Sequence, residues 1–583
     1  MPAYNPVMNT PKKSVHVATT RRQYKDKVYE AHLLRHSYRE GGKVKTETLA
    51  NLTHLGPHLI NVIRQSLAGR PVGVLDEQFE IIQSWHHGHV RLVLAAMQRL
   101  GIAPLLAAKA SPERSLAMAM IAARVLAPAS KLSTSSWFSD TTLLAELGID
   151  SASEDDLYAA MDWLVDQQSA VEKRLAKRHL KEGGLVLYDL SSTYFEGKTC
   201  PLAAYGYNRD GKKGKLQLNF GMVTDPWGRP VAVDVVKGNV GDPKTVMPQV
   251  MRVKDRFGIE QFVIVGDRGM LSQRHLDTLR ADHPGVEWVT ALRTERIREL
   301  VADKSIQPEL FDERNLFELN HANFPGERLV ACRNPALGRL RAQTRQSLLE
   351  ATEKDLAKVA AGAGRGRLKT AAAIGLRVGR ILNKHKVAKH FDLTIGEGTL
   401  QFERRQAAIN AEAALDGIYV VRTSLPAAQR STDDTVRDYK RLTQVEHAFR
   451  SMKTVDLHVR PLWHRTEKRV KAHIFLCMLA YYVQWHLEKA LAPLTFGDET
   501  PEDRLTRDAV APARPNDEVK RKCSTKQNIS GDPVMRLTRV LGHMATIVRN
   551  RCRAKGGDET FDLDTLPNPL QRRALELVEE MVV

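Results

Sequence analysis

The chain has 583 residues, a length that suits two to four domains. Hydrophobic residues make up 43% and charged residues 27%, which excludes wholesale disorder, a collagen-like chain and a multi-span membrane protein. Lysine and arginine number 87 against 68 aspartates and glutamates, a net charge of +19 that suits a polyanionic partner, nucleic acid first and an acidic membrane surface second.

At the N-terminus, Lys12 and Lys13 are not followed by an apolar run, so no signal peptide is read. Val28–Tyr38 and Lys43–Leu52 read as a hairpin turning at Gly41-Gly42. Residues 90–180 read as helical: Ser111-Pro112-Glu113 opens one helix, which stops near Pro128, and Leu157–Leu180 is a second amphipathic stretch. The texture changes at Gly183-Gly184. Leu185–Tyr188 is an unalternating apolar strand running into Asp189, strands follow at Leu216–Val223 and Pro230–Val236, and Phe262–Val265 runs into Asp267. Val286–Leu292 is a fifth candidate strand. Residues 301–415 break this rhythm with a basic helical pair, Ala342–Ala360 and Leu368–His390, and read as an insertion. Long helices are expected over Asp434–Met452 and Glu467–Leu491, a linker over 492–531, and a last basic helix over Pro533–Arg551. The most apolar stretch, Ile474–Val483, is about half a membrane span and reads as a buried helix. The domain boundaries drawn from this are 1–75 (β-rich, a possible DNA contact), 76–182 (helical, for DNA binding or dimerisation), 183–300 with 416–492 (an α/β core), 301–415 (insertion) and 493–583 (linker and basic helix).

Five scattered cysteines, with no C-x₂₋₄-C pair, make a zinc ribbon or a disulfide framework unlikely readings and fit a reducing cytoplasm. Asp189 and Asp267 each follow an apolar strand, where an open α/β sheet gathers catalytic groups; the alternative is an acid capping a turn. On a helical wheel Leu442, Val445, Phe449 and Met452 form a core stripe, and Tyr439, Glu446 and Lys453, seven apart, form a second stripe beside it, with Arg450 close by. Three carboxylates suit phosphodiester cleavage with two hard cations, which offset the repulsion among the acids. The segment Gly206–Lys215 carries Lys212, Lys213 and Lys215 among glycines and reads as a basic loop following DNA or as a solvated turn; it is no Walker loop. Gly362–Gly366 follows a helix, so a nucleotide site is not expected, and Asp242 reads as a loop cap or a supporting acid. His458, His464 and His473 lack zinc-site spacing.

Leu187–Phe195, Val265–Met270 and Tyr439–Lys453 together resemble the DDE transposases of the IS4 group of bacterial insertion sequences, most closely the IS1634-like family. The last piece is similar to the group's Y-x₂-R-x₃-E-x₆-K signature, with Leu442 at the Arg position and Arg441 one residue before it. Weaker matches are Gly206–Asp210, Gln217, Gly238-Asn239, Asp242 and the stretch from Arg460 to His473. The resemblance implies an α/β, RNase H-like core, a mixed sheet with flanking helices interrupted by an insertion domain. A β-rich then helical N-terminal region and a helical C-terminus flank it. It puts the first Asp on the first strand, the second after the fourth strand and the Glu on a late helix.

The function expected is transposition. The protein would bind the terminal inverted repeats of its element on double-stranded DNA, cut their ends with Mg²⁺ or Mn²⁺, and join the 3′-hydroxyls to target DNA, with Asp189, Asp267 and Glu446 as metal ligands. Tyr439, Arg441, Arg450, Lys453 and Arg268, with the lysines of the 206–215 loop, would contact DNA. A homodimer on DNA, a cytoplasmic bacterial setting, no membrane and no nucleotide cofactor complete the expectation. The rival readings are an RNase H-like nuclease or resolvase without strand transfer, and a non-catalytic DNA-binding derivative.

Overall fold

The computed structural model describes residues 14–24, 27–68, 79–212, 214–500, 503, 507–512, 514–555 and 557–582. Lys12, Lys13 and Lys213 lie outside the described residues. The chain divides into two units, Met1–Trp85 with Val548–Thr565, and His86–Ile547 with Leu566–Val583.

In the first unit, β1 (Ser14–Tyr24), β2 (Lys27–Glu40) and β3 (Lys43–Asn51) form an antiparallel sheet. The expected hairpin is there: Glu40 pairs with Lys43 across Gly41 and Gly42, whose φ of +59° and +79° are the left-handed values a two-residue turn requires. β1 has no apolar run to announce it. A second sheet joins β4 (Phe79–His86) to β15 (Val548–Ala554) and β16 (Thr560–Asp564). Here the expected basic helix over 533–551 is corrected: only Leu537–Met544 is helical, and 548–554 is a strand. Arg549 and Arg551 pair across the strands with Asp564 and Asp562, so the basic residues follow a period of two. The C-terminus is therefore part strand and part helix, the last helix being Pro569–Glu579.

The second unit opens with helices. Ser111 caps Pro112–Leu126, its hydroxyl accepting from the Arg114 amide at 3.2 Å, and Ser153 with Asp156 forms a capping box at the start of Glu154–His179. Eight strands then build one sheet: β5 (Gly184–Tyr194), β6 (Gln217–Thr224), β7 (Pro230–Lys237), β8 (Phe262–Val265), β9 (Val286–Ala291), β10 (Leu316–Leu319), β11 (Arg328–Arg333) and β14 (Ile418–Thr423). Their order is β10-β11-β14-β9-β8-β5-β6-β7. β5, β6 and β7 are an antiparallel meander, while β8 and β9 run parallel to β5. Glu467–Ala490 lies against β7 and the helices Pro112–Leu126 and Glu154–His179. Its middle is apolar on all sides, and every residue from Ile474 to Val483 is buried, as the sequence suggests. Among the described residues no single helix is long and apolar enough to cross a membrane.

Residues 301–415 divide. β10 and β11 extend the main sheet, because Leu329–Cys332 is a buried apolar run that pairs with β14. The helices Pro335–Gly364 and Ala371–His385, with the hairpin of β12 (Phe391–Gly396) and β13 (Thr399–Arg404), share a separate core around Leu356, Ile374 and Phe391.

Candidate active site

Asp189 lies within β5 rather than at its end. The parallel pairing of β5 with β8 stops at Leu187 opposite Val265, but the antiparallel pairing with β6 continues to Tyr194, with Asp189 opposite Met222. The acid thus sits where one neighbouring strand has ended and space opens beside it. Its neighbours Tyr188 and Leu190 are buried, and Asp189 itself is half-buried. Asp267 follows β8 by two residues, exposed at the start of a turn in which its carbonyl accepts from the Met270 amide at 2.9 Å. Glu446 is exposed on the helix Leu442–Arg450, whose opposite face buries Leu442, Val445, Ala448 and Phe449. Phe449 meets Phe220 of β6 edge to face at 5.3 Å, which fixes that helix on the sheet.

The charges of Asp267 and Glu446 both reach Asp189. Burial pushes the Asp189 carboxyl up to about 7. The Leu190 amide, donating at 2.8 Å, and Arg209 oppose this, while the charges of Asp267 and Glu446 add to it. The side chains are not drawn into a closed ligand set: among the described residues no group of three or more His, Cys, Asp or Glu is placed to hold a metal ion. The donor set is nonetheless one a hard divalent cation fits, being all oxygen and mutually repelling.

Around the acids the expected DNA contacts separate. Tyr439 donates its hydroxyl to Asp267 Oδ1 at 3.3 Å, and burial, then Asp267 itself, pushes its phenol well above the ordinary range. Its first partner is thus an acid of the centre rather than solvent. Arg268 is exposed next to Asp267 and acts electrostatically on Tyr439. Lys453 is buried. It donates to Asp210 Oδ1 at 3.2 Å, and Asp210 Oδ2 lies 2.7 Å from Arg460. Burial lowers the Lys453 ammonium, and Asp210 works against that shift.

The structure does not bring Arg441 to the carboxylates. The expected helix over 434–452 breaks into Thr432–Lys440, Leu442–Arg450 and a wide turn at Ser451–Val455. At the first break Arg441 turns under Trp227, 5.2 Å from its ring, donating to the Pro226 carbonyl and pairing with buried Asp438. There it lines a pocket with Gly183 and Leu185, at the start of β5 rather than beside Asp189. Arg450 and Lys212 are exposed, Lys215 pairs with Glu196 at 2.7 Å, and Lys213 falls outside the described residues. Asp210, Arg460 and Arg209 carry more of the site than the sequence reading gave them. Arg209 pairs with Asp242, and its amide donates to Ser192 Oγ of β5 at 3.2 Å. Their only sequence signal is the pair of short stretches, Gly206–Asp210 and Arg460–His473, noted above.

The profile of the Transposase DDE domain family matches residues 191–483, a span that holds Asp267 and Glu446 and begins two residues after Asp189. The IS1634 family transposase N-terminal domain matches residues 17–70. A search of the curated proteins finds no match. Among solved structures, a cryo-EM structure of the piggyBac transposase synaptic complex with hairpin DNA aligns at a TM-score of 0.31 and 9% identity, over 67% of this chain and 55% of that one, a likeness too distant to compare the folds. The chain spans about half the length of that structure's chain. Half of the chain falls within one transposase family and its N-terminal region within a second profile of the same kind: the protein belongs to the DDE transposases, close to the IS1634 family.

Proposed function

We propose that this transposase binds the terminal inverted repeats of its own element, cleaves the DNA at their ends in a divalent-cation-dependent reaction and joins the freed 3′-hydroxyls to target DNA. The observation that carries the reading is that Asp189 and Asp267 each lie two residues beyond the paired Leu187 and Val265 of neighbouring parallel strands, while the helix that carries Glu446 packs against β5. The sheet supports it. β5 carries the first acid, β8, the fourth strand of the core, leads into the second, and a late helix carries the third, the order of an RNase H-like core. In this reading the region around Pro335–Gly364 and β12–β13 is the insertion domain.

Asp189, Asp267 and Glu446 would hold Mg²⁺, with Mn²⁺ as substitute; when bound, the cation supplies Lewis-acid stabilisation at phosphorus and an activated attacking oxygen. Tyr439 holds Asp267 in place through its hydroxyl. Arg268, next to Asp267, and Arg450, one turn after Glu446 on the same helix, engage the DNA backbone, with Lys212 and Lys453 reached from the neighbouring loop and turn. The net charge of +19 supplies the sequence-independent part of DNA affinity. Both element ends have to be held together, so the DNA complex is a dimer.

The test is incubation of a duplex bearing one element end with the protein, with and without Mg²⁺. Nicking at the end and joining to a second duplex, both only with the cation, support the proposal. Cleavage without joining would favour a resolvase-like nuclease, and end binding without either would favour a non-catalytic derivative.

A further inference from the structure

We infer that Asp210 is an internal stand-in for a DNA phosphate, occupying in the free protein a seat formed by Lys453 and Arg460. The inference rests on the reading of Lys453 as a DNA contact and adds the seat, its second cation and its resident anion.

The Asp210 side chain is only 4% exposed, and its two oxygens are divided between two cations: Oδ1 to Lys453 Nζ at 3.2 Å, Oδ2 to Arg460 Nη1 at 2.7 Å. Two oxygens of one anion on a lysine and an arginine is also how a phosphodiester presents its non-bridging oxygens. The fit of the carboxylate is incomplete, since buried Oδ2 meets Arg460 as an ion pair without an aligned hydrogen bond. Arg460 is held for such a role, its guanidinium 5.4 Å from the Tyr194 ring at the end of β5, the strand that carries Asp189. Stripping both cations of any anion would leave buried Lys453 and largely covered Arg460 uncompensated, which is costly; exchanging carboxylate for phosphate avoids that cost.

The Asp210 loop is closed mainly on itself. It turns over Asn208–Lys212, with Gly211 at φ of +69°. Its turn is closed locally, by Asn208 Oδ1 accepting from the amides of Asp210 at 2.8 Å and Lys212 at 3.3 Å. Lys212 on this loop and Tyr207 just before it are exposed. The anchor on the core side is Arg209, through Ser192 and Asp242.

The test is binding of a short random-sequence duplex, at fixed ionic strength and without divalent cation, to the wild type, Asp210→Asn, and the control Glu397→Gln, which removes an exposed acid of the β12–β13 turn. Removing the resident anion should tighten binding about tenfold, beyond any effect of the control, and the gain should vanish when Lys453→Ala and Arg460→Ala are added. Unchanged or weaker binding by folded Asp210→Asn overturns the inference. Should that variant not fold, hydrogen exchange on the wild type decides. The amides of Arg209, Asp210 and Lys212 should lose protection when duplex is added, and equal or greater protection would overturn the inference. A wild type that binds no duplex removes the functional reading as well, whereas duplex binding indifferent to Asp210 removes this inference alone.

Discussion

At the scale of single residues, the candidate site divides into three acids, Asp189, Asp267 and Glu446, and side chains that pack against or bond to them. Glu446→Gln removes a carboxylate exposed on its helix, so folding and duplex binding should persist while end cleavage falls by about a thousandfold or more. Cleavage at the normal rate would take Glu446 out of the centre. Tyr439→Phe deletes only the hydroxyl that donates to Asp267. A typical hydrogen bond contributes about 1 kcal/mol, so the loss should be about threefold to tenfold in cleavage rate with duplex affinity unchanged. A fall in affinity with an unchanged rate would instead make Tyr439 a direct DNA contact. The placement of Asp189 and Asp267 at two neighbouring strands was legible because an acid closing an apolar run is visible in one dimension. Asp210 was not: on a glycine-rich basic loop it reads as solvated, and only the fold brings Lys453 and Arg460 to it from more than two hundred residues away.

Among the elements, the helix Leu442–Arg450 shows both the reach and the limit of periodicity. Its core stripe was legible, and Leu442, Val445, Phe449 and Met452 are all buried. The line Tyr439–Glu446–Lys453 was not a line, because the chain breaks at Arg441 and widens at Ser451, which sends Lys453 inward to Asp210. Asp438, fully buried and clasped by Arg430 at 2.6 and 2.7 Å, holds the last turn before the first break, and no helical wheel shows such a pairing. Phe449→Ala should cost about 3–5 kcal/mol, read as a lower urea midpoint, and should reduce cleavage further because Glu446 rides on the same helix. A midpoint within error of the wild type would show that Phe449 does not fix the helix. The strand at Val548–Ala554 was misread for a related reason. Its arginines are as compatible with an exposed helix face as with a strand, and the decision rests with Asp562 and Asp564 on the partner strand.

For the molecule as a whole, a buried ion-pair network and a set of buried histidines set stability. Glu327 accepts from Arg422 at 2.5 Å through both oxygens and from Arg280 at 3.2 Å, with Glu327 and Arg422 nearly inaccessible. Glu327→Gln should lower stability by about 3–5 kcal/mol, since Arg422 is left charged and buried. An unchanged denaturation midpoint would show that the arginine finds water or another acceptor. Acid acts elsewhere. Burial, with nearby arginines adding to it, pushes His179, His464 and His486 down to about 3, so the folded chain keeps them neutral. Below about pH 6.5 the unfolded chain binds protons that the folded chain refuses, so their contribution to stability is lost as pH falls from about 6.5 toward 3. Glu488, pushed up to about 7 by burial, works in the opposite direction, which makes a comparison of variants the clean measurement. The thermal midpoint of His486→Phe should fall less than that of the wild type between pH 7 and 5; equal falls would mean His486 does not titrate with unfolding.

The central claim is that three remote carboxylates form one cation-binding centre, and cation binding itself tests it most directly. Mn²⁺ titrated into the protein and followed by electron paramagnetic resonance should show bound ions in the wild type. Asp189→Asn, Asp267→Asn and Glu446→Gln should each lose or weaken them while remaining folded. Bound Mn²⁺ equal in number and affinity in the wild type and all three variants would contradict the claim.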